Sequence, residues 1–312
     1  MSENWVQLTT CPICCSENIN GVFQGDKFED GLHTYLCYAC AVSFTNPMPS
    51  EAYLDHFYRT DYRKRYSGYK QPSHKYIARL GRDGRALYHA EFVLNSGALK
   101  DGITLIDIGA AEGSFLKSMA SVAGQYKNVS SIGIEPNQEF SRWALENGYY
   151  DHVVDNVNKV DVTGPVLISM IHVLEHIREP VKFLADLVTK HNDLTIFVDV
   201  PDTTEYKSVS EIHLAHLYHF TEHSLVRCFE KAGLTVMQCE RHSPPNHPKS
   251  IRIIGRSLRG DKVTAHLEQI RTPTVELNGV KVAYARLEYS RRHYFSTIQR
   301  LKRGLKKIRR LL

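Results

Sequence analysis

Two pairs of cysteines, one loop of small residues and one run of histidines are the parts of this 312-residue chain equipped for chemistry. Cys11-Pro12-Ile13-Cys14 and Cys37-Tyr38-Ala39-Cys40 are C-x-x-C knuckles separated by 22 residues, close to the spacing at which two short loops face each other across a metal ion. Four thiolates complete a tetrahedron and leave no position for water. The expected ion is therefore a structural Zn2+, which holds a small unit together without acting as a Lewis acid. Cys15, Cys228 and Cys239 have no comparable partners and read as packing residues.

Ile106-Asp107-Ile108-Gly109-Ala110-Ala111-Glu112-Gly113-Ser114-Phe115 is an apolar strand running into a turn and then into a helix pattern. Small residues there let the backbone approach a ligand closely. Gly109, Ala111 and Gly113 recur at every second position. A nicotinamide-type loop needs its third glycine where this chain has Ser114, so the spacing argues against NAD. Free N–H groups at the start of the next helix suit a carboxylate such as that of S-adenosylmethionine (SAM), and Asp107 is placed to meet the ammonium group. Glu135, closing Ile132-Gly133-Ile134-Glu135-Pro136, can accept hydrogen bonds from both hydroxyls of a ribose. Asp155, after the next strand, is the candidate for the adenine end. The bland alternatives are a solvated strand-end carboxylate for Glu135 and a turn residue for Asp155.

Beyond Pro201-Asp202 lies His213-Leu214-Ala215-His216-Leu217-Tyr218-His219-Phe220-Thr221. Loops past the carboxyl ends of parallel strands are where open α/β sheets bind ligands, and a histidine there can take a proton near neutral pH. His216 is the first candidate for that base and His219 the second, with His172 as a positioning group. The alternative for each is a packed or capping histidine. A metal set of His213, His216 and His219 is disfavoured, because ligands at i, i+3 and i+6 drift around a helix.

These residues need a scaffold, and short apolar runs alternating with helical stretches supply one. The strand candidates are residues 103–108, 131–135, 152–155, 166–171, 194–200, 235–240 and 250–254. Helix signals between them include Asn137 and Thr221 as N-caps and Pro180 in a first turn. Ser243-Pro244-Pro245-Asn246 is too short a link to hold a crossover helix, so the last two strands should form an antiparallel hairpin. The expected fold is α/β: a Rossmann-like seven-stranded sheet with a reversed last strand, a small N-terminal zinc-ribbon-like unit and a C-terminal helix.

Residues 103–254 resemble the class I SAM-dependent methyltransferases, on Asp107-Ile108-Gly109-Ala110-Ala111-Glu112-Gly113, on Glu135 and on His172-Val173-Leu174-Glu175-His176-Ile177. The resemblance implies SAM as cofactor, with Asp107, Gly109, Ala111, Gly113, Glu135, Asp155 and the His172 region around it. The cysteine pairs, Asn46-Pro47-Met48-Pro49 and His216-Leu217-Tyr218-His219-Phe220-Thr221 further resemble methyltransferases of nucleotide sugars and glycans, zinc-containing sugar C-methyltransferases included. That group typically has a His-Glu-His run followed by Tyr-Phe and a longer C-terminal domain. Here Ala215 stands between His213 and His216, and His219 precedes Phe220. Methylation of a sugar hydroxyl is accordingly expected over C-methylation. The alternatives are an RNA methyltransferase and a non-catalytic scaffold that keeps the fold.

The expected divisions are a zinc-binding unit over 1–48, a helical tyrosine-rich linker or lid over 49–98, the methyltransferase domain over 99–258 and an extension over 259–312. The N-terminus has no secretory pattern and no apolar run reaches the roughly 18 residues of a membrane span, which gives a cytoplasmic expectation. The net charge of +5 is uneven: from Arg286 onward ten basic residues face one acid, Glu288, leaving the rest of the chain at −4. Tyr294, Ile298, Leu301, Leu305, Ile308 and Leu312 recur at spacings of four and three among the basic residues. Such a basic amphipathic helix suits peripheral contact with an anionic membrane first and a partner helix second, ahead of a merely solvated tail and of nucleic-acid binding. The expected acceptor is a small molecule or glycan, and the oligomeric state is left open.

Overall fold

Five short strands open the chain: Trp5–Val6 (β1), Ile19–Gln24 (β2), His33–Cys37 (β3), Ser43–Thr45 (β4) and Met48–Pro49 (β5). The structure, a computed structural model, describes residues 4–66, 71–258 and 272–308, with the backbone alone at residues 59, 63, 64, 258 and 293–308. β1 pairs with β5, and β2, β3 and β4 form an antiparallel sheet. Four helices follow, Glu51–Thr60 (α1), Tyr62–Tyr66 (α2), His74–Arg79 (α3) and Arg82–Asn95 (α4). Ser50 and Ser73 cap α1 and α3 by accepting the N–H groups of Tyr53 and Tyr76.

The central sheet is built from Thr104–Ile108 (β6), Ser130–Ile134 (β7), His152–Val154 (β8), Pro165–Ile171 (β9) and Asp193–Pro201 (β10), interleaved with helices Ser114–Val122 (α5), Gln138–Glu146 (α6) and Pro180–Lys190 (α7). Tyr218–His219 (β11), helix Glu222–Lys231 (α8), Thr235–His242 (β12), Ser250–Leu258 (β13) and helix Pro273–Ile308 (α9) complete the chain. The seven strands come in the order β12-β13-β10-β9-β6-β7-β8. β6 to β10 are parallel, and β13 runs antiparallel to β10 on one side and to β12 on the other. The expected hairpin is present, and its second strand is the one inserted into the sheet. The expected caps are present too: the Asn137 side chain accepts from the N–H groups of Glu139 and Phe140, Pro180 opens α7, and Thr221 forms a capping box with Ser224.

Successive residues of β6 enter opposite cores. Ile106 and Ile108 pack with Ile168, Met170, Ile196 and Val198 on one face, while Leu105 joins Leu167, Phe197, Phe115 and Phe140 on the other. A sheet buried on both faces gains about 1.5–3 kcal/mol for each large apolar side chain it covers. The first of these cores continues through Tyr218 and Phe220 to Phe44 and the cysteines Cys11, Cys37 and Cys40. The join is also a matter of backbone, because β11 pairs with β4 as the fourth strand of the N-terminal sheet. Leu217, just before β11, donates to the carbonyl of Glu175, and its own carbonyl accepts from Thr45. The histidine segment is thus clamped between the N-terminal unit and the exit of β9.

α9 is tied to the body by Val280, Ala283, Tyr284 and Leu287, packed with Phe23, Leu36 and Tyr206, and by a buried ion cluster. Arg241 reaches Asp202 at 2.7 Å, Glu222 at 2.6 Å and Glu276 of α9 at 2.5 Å. Among the described residues no helix is long and apolar enough to cross a membrane. The basic amphipathic face over 294–312, and with it any membrane contact, lies outside the described side chains.

Candidate active site

The turn after β6 is held in shape by its neighbours. The N–H groups of Gly109 and Ala110 both donate to the carbonyl of Ile134 on β7, at 2.9 and 3.1 Å. Gly109 has φ +74°, and a Cβ there would lie 2.7 Å from Val173 Cγ2, so both conformation and space require glycine. Gly113, at φ +84°, has Tyr149 and Tyr150 against it, each with atoms 2.9 Å from where its Cβ would stand. Its missing side chain therefore serves the packing of the tyrosines. Ala111 takes a left-handed conformation at φ 47° and donates its N–H to Glu135 Oε2 at 3.1 Å. Glu135 Oε1 accepts from Asn137 N at 2.8 Å, so this carboxylate joins the loop to the start of α6.

Asp107 is 4% exposed and accepts a 2.6 Å hydrogen bond from Ser169 Oγ on β9. Burial pushes its carboxyl up to about 7, against the pull of that hydroxyl. Asp107, Gly109, Ala110, Ala111, Glu112 and Ser114 line a cavity whose other wall comes from α4, through Arg82, Arg85 and His89. Arg82 donates to Glu112 Oε2 at 2.6 Å and to the Tyr76 hydroxyl at 3.0 Å, bracing the loop from above. Arg85 makes no hydrogen bond to a described residue, and burial lowers its pKa. An anion in the cavity would offset that cost. Asp155 stands apart at the surface, 2.7 Å from Lys159 one helical turn on.

A second constellation begins at the end of β9. His172 has φ 56° and sits between two carboxylates, with Nδ1 3.3 Å from Glu175 Oε1 and Nε2 3.3 Å from Asp199 Oδ2. Burial alone would lower its pKa, but the two acids more than offset this and push it up to about 9. Asp199, on β10, also meets His242 Nε2 at 2.7 Å and His89 Nε2 at 3.4 Å. Its pKa is held below the ordinary carboxylate range by His172 and His242, which together outweigh the effect of burial. His89 faces the loop cavity, so the chain His89–Asp199–His172–Glu175 connects that cavity to the histidine segment.

His216 reaches Glu175 Oε1 with Nε2 at 3.8 Å, and the His213 ring lies against it, tilted by 45° with centroids 3.9 Å apart. Tyr58, Tyr62 and Tyr66, four residues apart, form a ladder on α1 and α2. Tyr58 and Tyr62 lie edge-on to His176, and Tyr66 lies 4.7 Å from His213. The structure thus brings His172 and His216 to one carboxylate. His219 points elsewhere: it is 1% exposed, bonds the Tyr206 hydroxyl at 3.1 Å and belongs to β11.

The cysteine knuckles are near copies of each other. Cys15 N donates to Cys11 O and Ala41 N to Cys37 O, both at 2.9 Å, and Cys15 and Ala41 both have positive φ. The four sulfur atoms lie within 4.8 Å of one another, with Cys11 and Cys40 3.7 Å apart and Cys14 and Cys37 3.6 Å apart. Zinc–sulfur bonds of about 2.3 Å in a tetrahedron require sulfurs about 3.8 Å apart. The donor set fits a structural zinc.

Residues 80–239, just over half of the chain, match the family model for a methyltransferase domain. Among solved structures, the chain is similar to a SAM dependent methyltransferase from Aquifex aeolicus, with 18% identity over 58% of this chain and 98% of the other, at TM-score 0.44. It is also similar to 1,6-didemethyltoxoflavin-N1-methyltransferase from Burkholderia thailandensis, solved with its substrate and S-adenosylhomocysteine (15% identity, 76% and 100% covered, TM-score 0.49). A third is magnesium protoporphyrin IX methyltransferase from Synechocystis PCC 6803, solved with SAM (13% identity, 66% and 95% covered, TM-score 0.44). No curated protein sequence matches. The chain belongs to the methyltransferase domain family.

Proposed function

We propose that the enzyme methylates a hydroxyl group of a sugar, nucleotide sugar or glycan. The observation that carries this reading is the joint placement of His172 and His216 on Glu175, beside the cofactor cavity and under the Tyr58–Tyr62–Tyr66 ladder. A polyhydroxylated ring needs many hydrogen-bonding groups and an aromatic face, and this cluster holds imidazoles, a carboxylate and phenol rings together. The likeness of the cysteine pairs and the histidine segment to sugar methyltransferases supports the same class. The departure at Ala215 favours oxygen over carbon as the methylated atom. In the structure the Ala215 carbonyl is engaged by His176 and Tyr58.

SAM supplies an electrophilic methyl group on a sulfonium centre. In this reading Glu135 takes the ribose hydroxyls, Asp107 the ammonium and Arg85 the carboxylate, with Gly109 to Gly113 forming the floor. His172 positions the acceptor hydroxyl, and its proton leaves on the His216 side of the cleft. Proximity and alignment supply most of the acceleration in such an in-line displacement. His219, enclosed by Tyr206 and the N-terminal sheet, holds the loop in place. We infer that Cys11, Cys14, Cys37 and Cys40 hold a structural Zn2+.

The test is incubation of the purified protein with SAM and panels of nucleotide sugars and oligosaccharides, read by mass spectrometry for one added methyl and by fragmentation for its position. Methylation at oxygen is expected. A protein that binds SAM but methylates only an RNA or another small-molecule class would overturn the acceptor assignment.

A further inference from the structure

Glu175 is a buried carboxylate whose surroundings do not satisfy it. The residue is 1% exposed, and neither oxygen accepts a hydrogen bond from a described residue. The nearest cationic group, His172, is 3.3 Å away and shared with Asp199. On another side two imidazoles converge on Oε1: Nε2 of His176 at 3.9 Å and Nε2 of His216 at 3.8 Å. Both separations are too long for hydrogen bonds.

The network assigns the tautomer of His176. Its Nδ1 lies 2.6 Å from the carbonyl oxygen of Ala215, which can only accept, and 3.1 Å from the Tyr58 hydroxyl, so Nδ1 carries a proton and in the neutral ring Nε2 presents a lone pair. The Tyr58 hydroxyl reaches the same carbonyl at 3.4 Å. A lone pair aimed at a buried carboxylate is repulsive unless positive charge lies between them. An imidazole that donates one nitrogen to a backbone carbonyl and points the other at a shared focus is the usual arrangement of a metal-binding histidine and its outer support. The ligand atoms of Glu175, His176 and His216 lie within 4.8 Å of one another. Bonds of about 2.0–2.2 Å to an ion at their centre would set neighbouring ligand atoms about 3.4 Å apart in a tetrahedron, about half an ångström closer than each imidazole now stands to Glu175 Oε1.

We propose that Glu175, His176 and His216 bind a divalent transition-metal ion of the zinc, cobalt or iron(II) class, separate from the ion at the four cysteines. Two imidazoles and one carboxylate select such ions over magnesium or calcium, and three protein ligands leave a position open, as catalytic metal sites do. The role of that position rests on the reading of the cleft as the acceptor site. An acceptor hydroxyl on the ion is acidified and loses its proton to water. The oxygen then forms a bond to the methyl carbon as the carbon–sulfur bond breaks, giving a methyl ether, S-adenosylhomocysteine and one released proton. His216 is in that case a ligand, and the ion, by acidifying the bound hydroxyl, removes the need for a free imidazole as base.

The test is metal stoichiometry on the full chain, by elemental analysis after growth in zinc and by titration with Co2+, whose absorption separates thiolate from nitrogen and oxygen ligation. Two equivalents are expected in the wild type. His216→Gln and Glu175→Gln should each lose the one without thiolate bands and keep the other, with circular dichroism confirming the fold. A single, thiolate-bound equivalent in the wild type would overturn the proposal, as would a second equivalent untouched by both variants. Activity separates this from the acceptor reading. Full sugar methylation in His216→Gln removes the catalytic role of the ion and leaves the acceptor class intact. Two bound equivalents with no methylation of any sugar leave the ion and remove the acceptor class.

Discussion

Glu135 Oε2 accepts the backbone N–H of Ala111 at 3.1 Å, so the carboxylate proposed for the ribose also pins the loop proposed to hold the cofactor. Its other oxygen holds Asn137 N at 2.8 Å. Glu135→Ala should therefore remove ligand contacts and loosen the loop at once. A hydrogen bond to a charged group contributes about 1.5–3 kcal/mol, so losing one such contact weakens SAM binding by at least about tenfold. Calorimetric titration with SAM and with S-adenosylhomocysteine checks this. An unchanged dissociation constant would remove Glu135 from the site.

Asp107 makes SAM binding depend on pH in a stated direction. Burial lifts its carboxyl to about 7, so at pH 6 much of it is protonated and unable to pair with an ammonium group. SAM affinity should rise as pH increases from 6 and fall again above about pH 8, where the ligand's own α-amino group loses its charge. Stability of the unliganded protein runs the other way. The folded state holds this proton to a higher pH than the unfolded state does, so the contribution of Asp107 to stability falls between about pH 4 and pH 7. Asp107→Asn should flatten the rise, and a rise that persists in this variant would assign it to another group.

Arg241 offers a test of how α9 is held. Its guanidinium satisfies Asp202, Glu222 and Glu276, and the side chains of Asp202 and Glu276 are no more than 1% exposed. Arg241→Met keeps most of the volume and leaves these acids without their cation. Breaking a buried pair from one side costs about 3–5 kcal/mol. Chemical denaturation should register a loss of that order. A loss below about 1 kcal/mol, the range of exposed pairs, would mean that solvent already screens the cluster.

Much of this architecture is legible because it is local. The apolar runs around Leu105, Leu167 and Ile196 report a strand buried on both faces, and Asn137 and Thr221 announce helix starts through their own backbone hydrogen bonds. What escapes a linear reading is contact between distant segments. Arg82, Arg85 and His89 come from a helix before the glycine loop and enter the site only because α4 packs on α5. Their spacing of three and four does put them on one helical face, a signal that was available. Asp199 is likewise conspicuous as the acid within the run Leu194–Val200. Its three imidazoles come from α4, the exit of β9 and β12. The union of β11 with β4 has no signature at all in two residues such as Tyr218 and His219.

That union gives the cysteine site a consequence for the active site. β4 follows directly on the second knuckle, pairs with β11 and donates from Thr45 N to Leu217 O, while Leu217 N donates to the carbonyl of Glu175. Cys37→Ser removes one thiolate from a four-thiolate set, and a unit of this size depends on its metal to fold. The variant should lose the thiolate-bound zinc, become sensitive to proteolysis near the knuckles and lose methyl transfer. SAM binding, which rests on the loop between β6 and α5, should persist at close to wild-type affinity. Loss of both together would mean that the N-terminal unit supports the whole central sheet. Loss of neither would mean that the β4–β11 pairing survives without the metal.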